Sequence, residues 1–190
     1  MANVYHMCTP DFRGTTLYPL NDLKKVFPDL YERETLKFAG REAVLEYVIP
    51  GLGVPWAETV NLSALDPRLL VAERRRLGVP FSHLLERKLL CIPVERIANL
   101  PAVNYVSRSH WINSSPGEIG VPLAPPSEEF SPFDVDYYRE TREVPALHTE
   151  YLLRQKSRGA QALGFVFVPH VLVASPIDIS GLELIDLRGR

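Results

Sequence analysis

The sequence predicts an α+β fold: a single compact domain over residues 1–190, with a central, mostly antiparallel sheet, flanking helices and a long irregular loop. Three observations predict it. Helical patterns gather ahead of most strand patterns and do not alternate with them, as a regular parallel sheet would require. The run Gly164 to Ala174 is apolar on both faces, the mark of a strand inside a sheet. Seventeen prolines spread along 190 residues call for short elements and many loops.

Val4 to Met7 is the first strand, stopped by Thr9-Pro10-Asp11. Pro28 to about Val48 reads as helix: proline suits its first turn, Asp29 and Glu32 favour its positive end, and Pro50-Gly51 stops it, while Gly40 marks a close approach or a break. Thr59 to Ser63 is a brief strand. Asp66-Pro67 then opens a helix as cap and first residue, and Gly78 closes it. Its Arg74-Arg75-Arg76 run reads as a solvated last turn that complements the helix dipole, the sharper reading being a nucleic-acid contact. Strands follow at Lys88 to Val94 and over 101–106. Residues 107–133 carry no period; an irregular stretch of that length is a candidate lid, and Trp111 within it is an anchor or a stacking platform. Pro145 to Arg158 is a helix with Leu147, Tyr151 and Leu152 on one stripe, closed by Gly159. Gly164 to Ala174 needs a bulge or break at Pro169-His170, because proline cannot donate to a ladder. Leu182 to Leu187 is the last strand.

A net charge of −2 argues against a non-specific polyanion binder. Two cysteines, Cys8 and Cys91, suit a reducing cytoplasm and read as structural thiols, with Cys8, close to His6, the stronger candidate nucleophile. No signal peptide and no run long enough to span a bilayer is present, so a cytoplasmic protein without a membrane partner is expected. The sequence carries no dinucleotide-binding glycine fingerprint, P-loop, zinc-protease motif or nucleophile elbow. The five histidines never fall at metal-ligand spacing, so no metal site is expected.

Chemistry concentrates in two places. His6 and His170 lie within strand patterns, where an imidazole either satisfies a core bond or faces a cleft, exchanging protons near neutrality or fixing a ligand hydroxyl. Lys37 and Arg41, four residues apart, project from one helix face and form either a candidate cradle for pyrophosphate or an ordinary charged surface.

The opening Val4-Tyr5-His6-Met7-Cys8-Thr9 resembles the first strand of the ADP-ribosyltransferases, particularly the DarT-type toxins and the rifampin-modifying enzymes, which begin with a Tyr-His pair followed closely by Thr. The resemblance implies that His6 binds the ribose of NAD with Thr9 beside it. It also implies a later glutamate that orients the acceptor or the cationic ribose; Glu143, Glu150 and Glu183 are the candidates, Glu150 foremost. The expected function is then NAD-dependent transfer of ADP-ribose to a nucleic acid or protein, in a bacterial or phage protein that acts as a toxin. Two rivals stand beside it: a metal-independent ribonuclease with His6 and His170 as acid and base, and a non-enzymatic interaction module in which the histidines are buried.

Overall fold

The structure, a computed structural model, describes residues 2–39, 42–108, 125–140 and 143–187, and at residues 82, 83, 137, 139 and 140 the backbone alone. Gly40, Arg41, His110, Trp111 and most of the candidate lid (109–124) lie outside the described residues.

A seven-stranded sheet organises the chain. Its strands are β1 (Asn3–Cys8), β3 (Val60–Ser63), β4 (Lys88–Pro93), β5 (Ala102–Tyr105), β6 (Phe130–Pro132), β7 (His170–Val173) and β9 (Leu184–Asp186), in the order β6-β5-β7-β3-β1-β4-β9. Every registered pair is antiparallel. Two short strands, β2 (Thr16–Leu17) and β8 (Ile177–Asp178), pair separately. The helices are α1 (Leu20–Val26), α2 (Pro28–Thr35), α3 (Pro67–Leu77), α4 (Ser82–Leu85), α5 (Val135–Glu140) and α6 (Ala146–Ser157). The α+β expectation therefore holds, and no described helix is long and apolar enough to cross a membrane.

Antiparallel alternation sorts the side chains. Val4, Cys8, Leu62, Leu90, Ile92, Val171 and Val173 share the main core cluster on one face. The other face carries a row directly across five strands, Phe130, Tyr105, His170, Ser63 and Tyr5, covered in part by Tyr47, Ile49 and Trp56.

Local signals set α3 as expected. The Asp66 carboxylate accepts from the Arg68 backbone N–H at 2.9 Å, a cap of the kind worth about 1 kcal/mol, and Gly78 closes the helix at φ 64°. Elsewhere tertiary demands override the pattern. The helix expected from Pro28 to Val48 ends at Thr35 and continues as 3-10 turns over Leu36–Phe38 and Glu42–Glu46. Leu36 is 72% exposed, so no apolar stripe carries the helix onward. Only His170–Val173 of the strand expected over 164–174 joins the sheet; Phe167 turns left-handed at φ 61° ahead of Pro169, and Val166 and Phe167 pack instead against Tyr151 and Leu152 of α6. Within the irregular stretch 107–133, residues Phe130–Pro132 form an edge strand on β5. On α6 the buried stripe is His148, Tyr151 and Leu152, while Leu147 faces outward.

The arginine run is a further correction. Arg74 is fully buried, donating to the carbonyls of Pro80 (2.9 Å), Ala162 (3.2 Å) and Leu163. It pins the irregular 162–169 segment to α3 and so fixes where β7 starts. Arg75 lies over the Phe81 ring and Arg76 pairs with Glu73, both at the surface as expected. Arg74→Ala is expected to cost at least about 3 kcal/mol, since it strands three carbonyls that accept from a charged donor, whereas Arg75→Ala costs less than about 1 kcal/mol. Urea unfolding of both variants checks this; equal, small losses would refute the pinning role.

Candidate functional site

β1 pairs with β4 along its whole length, from Asn3 opposite Pro93 to Cys8 opposite Lys88. With β3 it shares a single registered pair, Tyr5 opposite Ser63. Beyond that pair the His6 imidazole takes over, its Nδ1 lying 3.1 Å from the Asn61 carbonyl. A carbonyl only accepts, so Nδ1 carries the proton and Nε2 is left as an acceptor.

Where β1 ends and β3 begins, a half-open cavity of about 160 Å³ lies between the sheet and residues Phe12 to Phe38 together with Leu45. Phe12, Tyr18, Phe27, Phe38 and Trp56 supply aromatic wall, and Leu17, Leu23 and Leu30 supply aliphatic wall. The polar lining includes His6, Thr9, Glu34, Thr59 and Asn61. The segment from Thr9 to Arg13 is strapped to α2 by Asp11–Arg33 and by Arg13–Asp29 at 2.6 Å, with the Arg13 guanidinium 4.8 Å from the centre of the Phe27 ring. The Thr9 side chain hydrogen-bonds Asp11 and thereby holds the start of this strap.

Burial pushes His6 down to about 4; the charges of Lys37 and Arg87 push the same way, against the Asn61 bond and Glu34. At neutral pH the imidazole is therefore uncharged and presents an acceptor, a poor general base but a firm partner for a ligand O–H or N–H. Burial pushes the Cys8 thiol up to about 12, which removes it as a nucleophile, and Cys91 is raised as well.

The structure brings His6 and Thr9 into one cavity and sets Lys37 at its edge, where the ammonium pairs with Glu34. Arg41 lies outside the described residues. His170 stands in the Tyr5–Ser63 row, so strand alternation puts it on the face opposite His6, among Tyr105 and Phe165. The two imidazoles do not share a cleft, which removes the acid–base pair that a ribonuclease reading requires. Burial pushes His170 too down to about 4. Glu150 is exposed on α6, and neither it nor Glu143 nor Glu183 lines the cavity. Among the described residues the carboxylate that does is Glu34, which sequence reasoning missed although it lies three residues before Lys37. Among the described residues, no group of three His, Cys, Asp or Glu side chains is placed to hold a metal.

Acid should loosen this arrangement. The unfolded imidazoles bind a proton near 6.5 and the folded ones only near 4, so stability is complete above about pH 6.5 and falls as pH drops towards 4, by up to ~3 kcal/mol for each of His6 and His170. Urea midpoints between pH 7 and 4.5 should fall for the wild type and flatten in His6→Gln and His170→Gln; identical slopes in all three would refute the assignment. The chain matches no protein-family model, no curated protein and no solved structure.

Proposed function

We propose that the cavity at His6 binds the nicotinamide–ribose end of NAD and that the protein transfers ADP-ribose to a nucleic-acid or protein acceptor. One observation carries the reading: His6 and Thr9, the two residues that the strand resemblance assigns to NAD, line the same cavity. Its size, about 160 Å³, admits the nicotinamide ring with the ribose at the half-open mouth, and its aromatic walls suit a flat heterocycle. The acceptor at His6 Nε2 suits a ribose hydroxyl, which donates. A phosphate oxygen, which only accepts, is a poor partner there.

In such a transfer the bond between ribose C1′ and the nicotinamide nitrogen breaks with its electron pair leaving on nicotinamide. A bond from C1′ to an oxygen or nitrogen of the acceptor forms, and the acceptor's proton passes to solvent or a base. Positive charge grows on the ribose as the bond lengthens. Glu34, at the cavity wall, is the carboxylate placed to stabilise that charge, and His6 positions the sugar without moving a proton.

Purified protein should bind NAD saturably and release nicotinamide. His6→Ala should weaken binding at least tenfold, and Glu34→Gln should slow release about 10²-fold with a smaller change in affinity. Calorimetry and nicotinamide release, with thermal melts to confirm folding, check both. No saturable binding by the wild type at millimolar NAD would discard the reading and leave a binding module in its place.

A further inference from the structure

At the edge of the cavity nearest the β1–β4 pair two cations share one carboxylate, in a chain whose net charge is −2. Glu34 meets two cations there: Lys37 through Oε2, and Arg87, whose Nη1 lies 3.6 Å from Oε1. Arg87 directly precedes β4, where Lys88 stands opposite Cys8 of β1. Lys37 and Arg87 thus share one carboxylate, while Lys88 stands opposite Asp186 of β9. Lys37 and Arg87 act by charge on His6, and all three act on Cys8, so their fields reach side chains that line the cavity. The Arg87–Glu34 contact is an ion pair without a hydrogen bond, since 3.6 Å is too long and the buried Glu34 Oε1 has no hydrogen-bond partner.

We infer that Arg87, with Lys37 beside it, forms a phosphate subsite for the nucleotide whose ring enters the His6 cavity with its ribose at the mouth. The inference rests on the nicotinamide–ribose reading and adds to it where the phosphate goes. Cavity size requires an outside position: about 160 Å³ is well below the ~300–1,000 Å³ of pockets that enclose a drug-sized ligand, so a dinucleotide cannot be swallowed whole. Charge selects the side. On the strap side, Arg13 is matched by Asp29 and Arg33 by Asp11. On the β1–β4 side Lys37 and Arg87 share the single Glu34 carboxylate, with Arg87 the more weakly held, and a guanidinium offers phosphate a planar two-pronged donor. A bound phosphate gives Arg87 the hydrogen bonds that Glu34 does not accept from it.

Nicotinamide riboside and nicotinamide mononucleotide share the ring and the ribose and differ by the 5′-phosphate. Calorimetry at low salt should find the mononucleotide at least tenfold tighter, with the difference shrinking as salt rises. Arg87→Gln should erase the difference and leave riboside affinity unchanged; Arg87→Lys should retain part of it. Unchanged thermal melts of these partly exposed variants confirm folding. Equal affinity for both ligands in the wild type, or a preference that survives Arg87→Gln, overturns the subsite and leaves the cavity reading standing. Failure of both ligands to bind overturns the cavity reading and the subsite with it.

Discussion

The parting of β1 from β3 after Tyr5–Ser63 is the constraint on which the site depends. Two neighbouring strands that separate leave backbone donors and acceptors to be satisfied by something else, because an unpaired polar group away from water costs about 1–3 kcal/mol. His6 meets the Asn61 carbonyl from the side, and the space opened below it is the cavity. A side chain without a hydrogen-bond donor at position 6 would remove that partner from the carbonyl. The same bond sets the tautomer, so one contact repairs the sheet and decides which nitrogen the cavity receives. β1 can afford the separation because its other edge is fully paired with β4.

A second constraint acts through the segment before β7. Residues 162–169 are largely buried yet follow no ladder, so their backbone must be satisfied by side chains. Arg74 takes the Ala162 and Leu163 carbonyls, the Tyr151 hydroxyl accepts from the Leu163 N–H, and His148 Nδ1 lies 2.6 Å from the Val166 carbonyl. These partners come from α3 and α6, which pack together. The polar clasp delivers His170 into the middle of the sheet at a fixed register with Ser63 and Tyr105. The two sequence-prominent histidines of the sheet are therefore placed by unrelated devices on opposite faces, and only His6 faces the cavity.

Legibility in the sequence followed the range of the interaction. Asp66-Pro67 and Gly78 bound α3 through contacts within a few residues, and both ends were readable. Strand alternation placed β1, β3, β4 and β5 within a residue or two. Arg74 was unreadable because its acceptors at 162 and 163 lie 88 and 89 residues away, so an apparently ordinary last-turn cation is a core residue. The helix from Pro28 was overextended for a related reason: past Thr35 the chain turns to wall the cavity, and that wall is tertiary. His6 and Thr9 were paired only through the resemblance carried by Val4 to Thr9; β1 itself ends at Cys8, one residue before Thr9. Glu34 was overlooked because a glutamate beside lysine on a helix looks like a surface pair until β1 and Arg87 are brought against it.

The cavity is bounded by interactions of very different strength, and this decides how it can open. On the sheet side the wall is β1 and β3, backed by residues with no exposed surface such as Val4, Leu62 and Leu90. Displacing them would breach the main core. On the strap side, Thr9 to Arg13 is held by the packing of Phe12 against the main core, two exposed ion pairs and one cation–ring contact. Exposed pairs contribute about 0.2–1 kcal/mol each and an exposed cation–ring contact about 0.5–1 kcal/mol, and salt screens the pairs. Local opening therefore costs least at the strap, where Gly14, at φ 89°, adopts a backbone conformation that a side chain would resist.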